Sequence, residues 1–241
     1  MAFRHGKDAD LFVGKYDLSN YVNEVTASMS IDTAETSTIG NNTKSYITGQ
    51  NDATVSVSGL FDGGAGAIEA VYADIIDNDL TPAITIVYDG GTVGSRATIA
   101  QGKQTSYEIG IPVGDVVSLN GEFQVTGGMR QAVILAYNTA LSATTNGSSV
   151  DNTSSTTIGA LANLHITANS RSTTTVVKVQ HSADNSTWAD LITFSTVAIG
   201  TVTSETISVS GTINRYLRAQ TTLTAGTGSI TPTIAIARRS N

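Results

Sequence analysis

The side chains that most often perform catalysis or bind metals are scarce in this sequence. It contains three histidines and no cysteine, which excludes a disulfide framework, a zinc–thiolate site and a thiol nucleophile. His5, His165 and His181 lack metal-binding spacing, and His165 lies on the polar face of a predicted strand. We therefore interpret the histidines as structural and expect no catalytic residue and no metal site.

A glycine-rich stretch could belong to a dinucleotide-binding turn, and two acidic clusters could bind calcium. None of the three matches the corresponding sequence motif. The glycines of 63–66 precede a predicted helix, but a dinucleotide-binding turn needs glycine where Glu69 stands. The acidic clusters at 8–10 and 74–79 lack the spacing of a calcium-binding loop. We expect turn glycines, solvated acids and no cofactor.

Charge and composition limit the function classes. The 241 residues have a net charge of -7, with 16 acidic and seven basic side chains in the first 140 and four acidic and six basic in the rest. Phosphate binding needs clustered Lys and Arg, so a general nucleic-acid-binding role is excluded.

No run approaches the roughly 18 apolar residues of a membrane-spanning helix. The N-terminus has no apolar signal core, so we expect synthesis in a cytoplasm.

A change in composition predicts the domain organisation. Ten of the sixteen residues from Ser142 to Thr157 are Ser or Thr, and such a stretch buries too little surface to fold alone. We predict a domain at 1–141, a linker at 142–157 and a second domain at 158–241.

The first domain reads mainly as strands. Apolar residues from Val25 to Ile31 occupy alternate positions, which predicts one buried face, and Glu24 begins the polar face. Further predicted strands are 53–61, 83–88, 96–101, 107–111, 117–125 and 131–137. Helical spacing over 65–76 predicts one amphipathic helix, with Asp62 as its cap.

The second domain reads as a β-sandwich. Short strands at regular spacing, with Thr-rich faces, are typical of that architecture. The predicted strands are 163–168, 174–181, 188–194, 203–210, 214–221 and 231–237.

A long polar segment, Thr33–Gly49, separates two predicted strands and yet carries Ile39, Tyr46 and Ile47. A loop of this length is often functional. It is either a mobile hairpin tip or an arm that orders against a neighbouring subunit.

Several runs carry a family resemblance, namely 17–25, 32–38, 59–63, 112–117 and 121–125. In order and spacing they resemble the tail tube (major tail) proteins of long-tailed, non-contractile bacteriophages, over most of residues 1–140. The resemblance implies a β-sandwich or incomplete barrel with one flanking helix, and six copies in a ring whose sheets join. It also implies stacked rings that form a hollow tube for genome delivery.

The resemblance also implies partners and contacts. The partners would be further copies of the chain, a tape measure protein, tail terminator and tail tip proteins, and DNA that passes without specific binding. The location would be the virion. The long loop would contact the next ring through Thr33, Glu35, Thr36, Ile39, Asn42, Lys44, Tyr46 and Ile47.

A tube bore should not hold DNA, and carboxylates repel phosphate whereas Lys and Arg retain it. Glu24, Glu108 and Glu122 lie on predicted strands, the first and last of them on polar faces. We hypothesise that they face the bore.

The second domain resembles C-terminal β-sandwich additions of phage tail and virion proteins, through 179–191 and 215–219. Such additions lie outside the tube, and the resemblance implies cell-surface glycans as partners. Trp188 would stack on a sugar ring, although a lone Trp is more often part of a core.

Three other functions compete with the tail tube. One is the tube of a contractile tail or secretion needle, and another is a β-sandwich adhesin or carbohydrate-binding module. An enzyme is third, since no nucleophile–base pair supports it.

Overall fold

The computed structural model describes residues 6–40 and 42–239, which form a mainly β structure with one α-helix. The helix, α1, is Ile68–Asp77, and a short 3₁₀ helix covers Gly6–Asp8. The strands are β1 (Asp10–Val13), β2 (Tyr16–Asp17), β3 (Val22–Glu35), β4 (Tyr46–Leu60), β5 (Ala83–Val87), β6 (Arg96–Gly110), β7 (Ser118–Val125), β8 (Arg130–Ala136), β9 (Thr145–Asn146), β10 (Val150–Asp151), β11 (Ala160–Asn169), β12 (Thr175–Ser182), β13 (Ala189–Thr193), β14 (Thr203–Val209), β15 (Tyr216–Leu223) and β16 (Ile230–Arg238).

The predicted fold class is confirmed, and so are most of the predicted elements. The six strands predicted within residues 158–241 lie within three residues of their predicted bounds. In the first half, the two strands predicted at 96–101 and 107–111 are one strand, β6, with a register shift between Gln104 and Ser106. Strands β1 and β2 had no sequence prediction, and β9 and β10 lie where a linker was predicted.

The described chain divides into two compact units. Unit 1 comprises the described residues within Met1–Asn20, Pro82–Ile99 and Arg130–Asn241, and unit 2 those within Tyr21–Thr81 and Ala100–Met129. The predicted linker lies inside unit 1, where its strands β9 and β10 both pair with β15. Strand β16 pairs with β8 as well as with β11, which joins the two halves of the sequence. Independent folding of 158–241 stays a prediction.

Unit 1 contains two antiparallel sheets. The first has the order β14-β11-β16-β8-β6-β5-β1-β2, with β6 contributing its residues up to Ile99, and the second has the order β10-β15-β12-β13. Side chains from both sheets share one core, among them Leu164 and Ile234 from the first sheet and Val179 and Leu217 from the second. Alternating apolar residues therefore face inward from both layers.

A buried polar network crosses the first sheet of unit 1. His165 Nδ1 lies 2.7 Å from the Gly14 carbonyl oxygen, so it donates there, and Nε2 accepts from the Thr85 hydroxyl at 2.7 Å. The Asn163 amide donates to Thr85 Oγ1, and the Thr206 hydroxyl donates to Asn163 Oδ1. The polar face on which His165 was predicted is thus buried, because Gly14 and Thr85 cover it.

Unit 2 is a four-stranded antiparallel sheet with the order β3-β4-β7-β6 and with α1 on one face. The Tyr72 ring of α1 meets the Phe123 ring edge-to-face, with centroids 5.6 Å apart. Gly121 lies under Tyr72, where a Cβ would come within 2.4 Å of Tyr72 Cε2. A residue without a side chain thus lets the helix approach the sheet.

Two expectations for unit 2 are corrected. The helix begins at Ile68, and Asp62 does not cap it: Asp62 Oδ1 accepts the Gly64 N–H at 2.8 Å, and the N-cap residue is Ala67. The apolar face of β3 is not buried, since Met29 and Ile31 are 55% and 48% exposed. The cause is that β3 is an outer strand, whereas α1 packs against β7.

The longest helix in the described ranges, α1, has ten residues. None there has both the length and the apolar character that a bilayer crossing requires.

Candidate assembly surfaces

Strands β3 and β4 form a long hairpin whose connection is held by polar contacts. The Thr36 N–H donates to the Ser45 carbonyl oxygen at 2.8 Å, and Lys44 Nζ lies 3.1 Å from Glu35 Oε2. The segment Thr33–Gly49 is therefore partly strand, because β3 continues to Glu35. This pairing extends the β3–β4 hairpin well beyond the part of the sheet against which α1 packs.

The hairpin carries apolar side chains in solvent, which we call the hairpin surface. Its members are Met29, Ile31, Ile39, Tyr46 and Ile47. All eight residues predicted to contact a neighbouring ring are exposed, namely Thr33, Glu35, Thr36, Ile39, Asn42, Lys44, Tyr46 and Ile47. Clustered exposed apolar side chains are typical of an interaction site.

A second apolar surface was missed by sequence reasoning. This tip surface lies where β4 ends and where the β6–β7 connection turns. The Phe61 N–H donates to the Val117 carbonyl oxygen at 3.0 Å, which brings the two segments together. The available signal was the apolar content of the run 112–117, which we used only as part of the family resemblance. The members of the tip surface are Leu60, Phe61, Ile109, Ile111, Val113 and Val116.

The arm residues Ile39, Tyr46 and Ile47 of the hairpin surface lie at the opposite end of the unit 2 sheet from the tip surface, whereas Met29 lies level with Ala53 at the middle of β4. Strand β4 runs the full length, from Tyr46 in the first surface to Leu60 in the second. Its 15 residues span roughly 45 Å at the usual rise of a strand. Unit 2 is thus an elongated sheet with a different apolar surface at each end.

The face of this sheet away from α1 is polar and acidic, and we call it the open face. The strand register places Glu24 opposite Ser58, Ser58 opposite Asn120, and Asn120 opposite Glu108. Glu122 lies one row further along β7, on the same face. The structure therefore brings the three predicted acids together, all of them exposed.

The open face otherwise carries mostly hydroxyl and amide side chains. At its far end Lys103 shares the register of Gln124, and the Lys103 ammonium lies 2.7 Å from Asp79 Oδ1. The other members are Thr26, Ser28, Ser30, Asp52, Thr54, Ser56, Ser106 and Gln124.

Strand β3 and the unit 2 part of β6 are the outer strands of this sheet. An outer strand presents backbone N–H and C=O groups that another strand can pair with. Strand β3 is long, with 14 residues, and its residues are mostly exposed. Both sides of the sheet therefore offer edges for pairing.

Trp188, the predicted glycan contact, lies in unit 1 beside β13. The Arg218 guanidinium stacks 4.2 Å from the indole centroid, and Arg218 Nε donates to Gln180 Oε1 at 2.9 Å. Gln180 and Lys178 both bond Asp190, and these contacts hold the pKa of Asp190 below its usual range. A sugar could stack only on the face of the indole that Arg218 leaves open.

Residues 6–40 and 42–239 contain no group of three or more His, Cys, Asp or Glu side chains arranged to hold a metal ion. Among the histidines considered from the sequence, His5 lies outside the described residues.

No protein-family model matches the chain, and no curated protein matches it. Solved structures with partial similarity to it include the following three. A chain of the virion of a native gene transfer agent particle is 14% identical, with a TM-score of 0.43, over 53% of this chain and 97% of that one. A chain of the tail of an empty gene transfer agent particle, refined with C6 symmetry, gives the same values. The SPP1 Dit protein, described as a hub of an adsorption apparatus, is 12% identical, with a TM-score of 0.35, over 95% of this chain and 98% of that one.

Proposed function

We propose that this protein is a structural, non-enzymatic subunit of a phage tail. Copies assemble into rings, and the rings stack into a hollow tube that delivers DNA. The observation that carries the proposal is the pair of apolar surfaces at opposite ends of the unit 2 sheet. The sequence resemblance to tail tube proteins supports the same function.

Stacking follows from the difference between the two ends. A contact between unlike surfaces is heterologous, so each new copy presents a free end to the next one. The hairpin surface of one copy would seat on the tip surface of a copy in the adjacent ring. Burial of Ile39 and Ile47 against Ile111 and Val113 provides the hydrophobic driving force.

Ring closure follows from the outer strands. Strand β3 of one copy would pair with the unit 2 part of β6 of its neighbour, which continues the sheet around the ring. Closure removes the exposed edges that otherwise favour aggregation. A ring of six copies is the number that the sequence resemblance implies.

The open face would then line the bore. Glu24, Glu108 and Glu122 would repel phosphate. The surrounding hydroxyl and amide side chains carry no positive charge that would hold DNA. Along this bore a tape measure protein and then DNA would pass, with terminator and tip proteins at the two ends. Unit 1, which contains Trp188, would remain available for contacts such as glycans.

Electron microscopy of the purified protein tests the assembly. Wild type should form hollow rods, whereas Ile39→Ser/Ile47→Ser and Val113→Ser/Val116→Ser should each give rings or monomers without rods. Ile199→Ser is the matched control, because Ile199 is 59% exposed but belongs to neither surface.

Rods of normal length from both double variants would overturn the stacking contact. Monomers of wild type under every condition would overturn the tube. Glycan binding without any polymer would favour the adhesin instead.

A further inference from the structure

Unit 1 contains a cavity of about 410 Å³ that the assembly function does not use. Its floor is a cross-strand row on the first sheet: Arg96 of β6 pairs with Val133 of β8, and Val133 pairs with Ile236 of β16. In the next row Gln131 lies opposite Thr98. The half-buried Val133 is therefore an apolar centre that a ligand can reach, flanked by polar side chains, whereas Ile236 beside it is buried.

The rim of this cavity is held in place by hydrogen bonds. The Tyr88 hydroxyl bonds the Thr98 hydroxyl. The Arg238 guanidinium donates to the Ser154 carbonyl oxygen and, at 3.1 Å, to that of Asn152. These contacts fix Tyr88 and Arg238 before any ligand arrives, which lowers the entropic cost of binding.

The cavity has an unbalanced positive charge. Arg96 and Arg238 both line it, and no carboxylate does. Within residues 6–40 and 42–239, neither arginine has an ion-pair partner. Burial lowers the pKa of Arg238. In a chain of net charge -7, two uncompensated guanidinium groups in one cavity favour an anionic ligand.

The other groups define the rest of the ligand. Gln131 and Asn152 offer amide groups, and the Asn152 amide nitrogen already donates to the Arg215 carbonyl oxygen, which leaves its oxygen to accept. Tyr88 offers a hydroxyl. Such amide and hydroxyl groups match the hydroxyls of a polyol, and the apolar centre matches the face of a compact ring.

We propose that this cavity binds a single sugar residue that carries a carboxylate or a phosphate. The anionic group lies between Arg96 and Arg238, the ring lies on Val133, and the hydroxyls bond the amides. The proposal does not depend on tube formation, since all of these residues belong to unit 1.

Titration calorimetry of the full chain tests the proposal with four probes: glucuronate, glucose 6-phosphate, glucose and inorganic phosphate. At least one of the two acidic sugars should bind at least about tenfold more tightly than glucose and than phosphate alone. The better of the two identifies the anionic group. Arg96→Gln should weaken that binding by about tenfold or more. Arg130→Gln is the matched control, because Arg130 is an arginine of the neighbouring strand β8 that does not line the cavity.

Three results with measurable binding would overturn the site. They are binding of glucose as tight as that of the acidic sugars, binding of phosphate alone as tight as either, and unchanged affinity in Arg96→Gln. Absence of binding by every probe at millimolar concentration would also overturn it. Arg96 is exposed, so its substitution should not prevent folding, and an unchanged melting temperature checks this.

Discussion

At the scale of single residues, the buried His165 network shows how a polar group becomes part of a core. Each nitrogen of the ring has one partner, and the partners come from separate strands and turns of unit 1. A buried polar group is tolerated when it is hydrogen-bonded, and here the bonding also fixes the neutral tautomer. His165 thus stabilises the fold only while it is uncharged.

This network predicts a pH dependence of stability. Burial lowers the pKa of His165 from 6.5 to about 4. Between these values the unfolded chain binds a proton that the folded chain does not, so stability falls as pH drops from about 6.5 to about 4. The loss should reach about 3 kcal/mol. Denaturant unfolding of wild type and His165→Gln across pH 4–7 measures it. The variant should be less stable at pH 7 and should have a shallower slope, whereas equal slopes would contradict the role of His165.

At the scale of elements, the position of α1 against β7 depends on the space that the side chains of the sheet leave unfilled. Tyr72 occupies the space that a side chain at position 121 would fill. The ring is fully buried and meets Phe123, so it has little freedom to move away. The glycine is therefore a packing requirement rather than a turn signal.

Gly121→Ala should destabilise the protein by about 1–3 kcal/mol, because the new methyl group overlaps the Tyr72 ring. Thermal or denaturant unfolding measures the change. Gly40→Ala is the control, since no atom lies within 4 Å of the added Cβ there. Tyr72→Leu should recover part of the loss when combined with Gly121→Ala. If Gly121→Ala unfolded at the same midpoint as the wild-type protein, the helix could shift without loss of stability, which would contradict this prediction.

At the scale of the whole molecule, charge and apolar surface are distributed between the two units in different ways. Unit 2 combines an acidic open face with two apolar ends. Unit 1 contains strand β16, whose two faces are both buried, and a cavity lined by arginines. We interpret unit 2 as the part that assembles and unit 1 as the part that can carry further contacts.

The open face predicts an electrostatic effect on genome delivery. The triple substitution Glu24→Lys/Glu108→Lys/Glu122→Lys should leave rods intact and reduce delivery, because each lysine would release counterions and hold DNA in the bore. Infectivity of phage carrying the variant measures this, with rod formation checked by microscopy. Asp77→Lys is the control, since Asp77 belongs to α1 on the opposite face of the sheet. Normal infectivity of the triple variant would contradict a bore-facing position.

The sequence by itself determined most of the strands, the single predicted helix and the polar faces that hold Glu24 and Glu122. These features are local, because a repeat of two or of 3.6 residues can be recognised from residues that are close in the sequence. The exposed arm residues Ile39 and Ile47 were also found in this way.

Only the tertiary structure decided which faces are covered. The apolar face of β3 is open and the polar face at His165 is closed, since burial depends on what packs against a strand and not on its own pattern. Pairing of β9 and β10 with β15 likewise placed the predicted linker inside unit 1. The tip surface and the arginine cavity each bring together residues far apart in the sequence. Chain folding alone sets such distances, so local pattern could not predict either site.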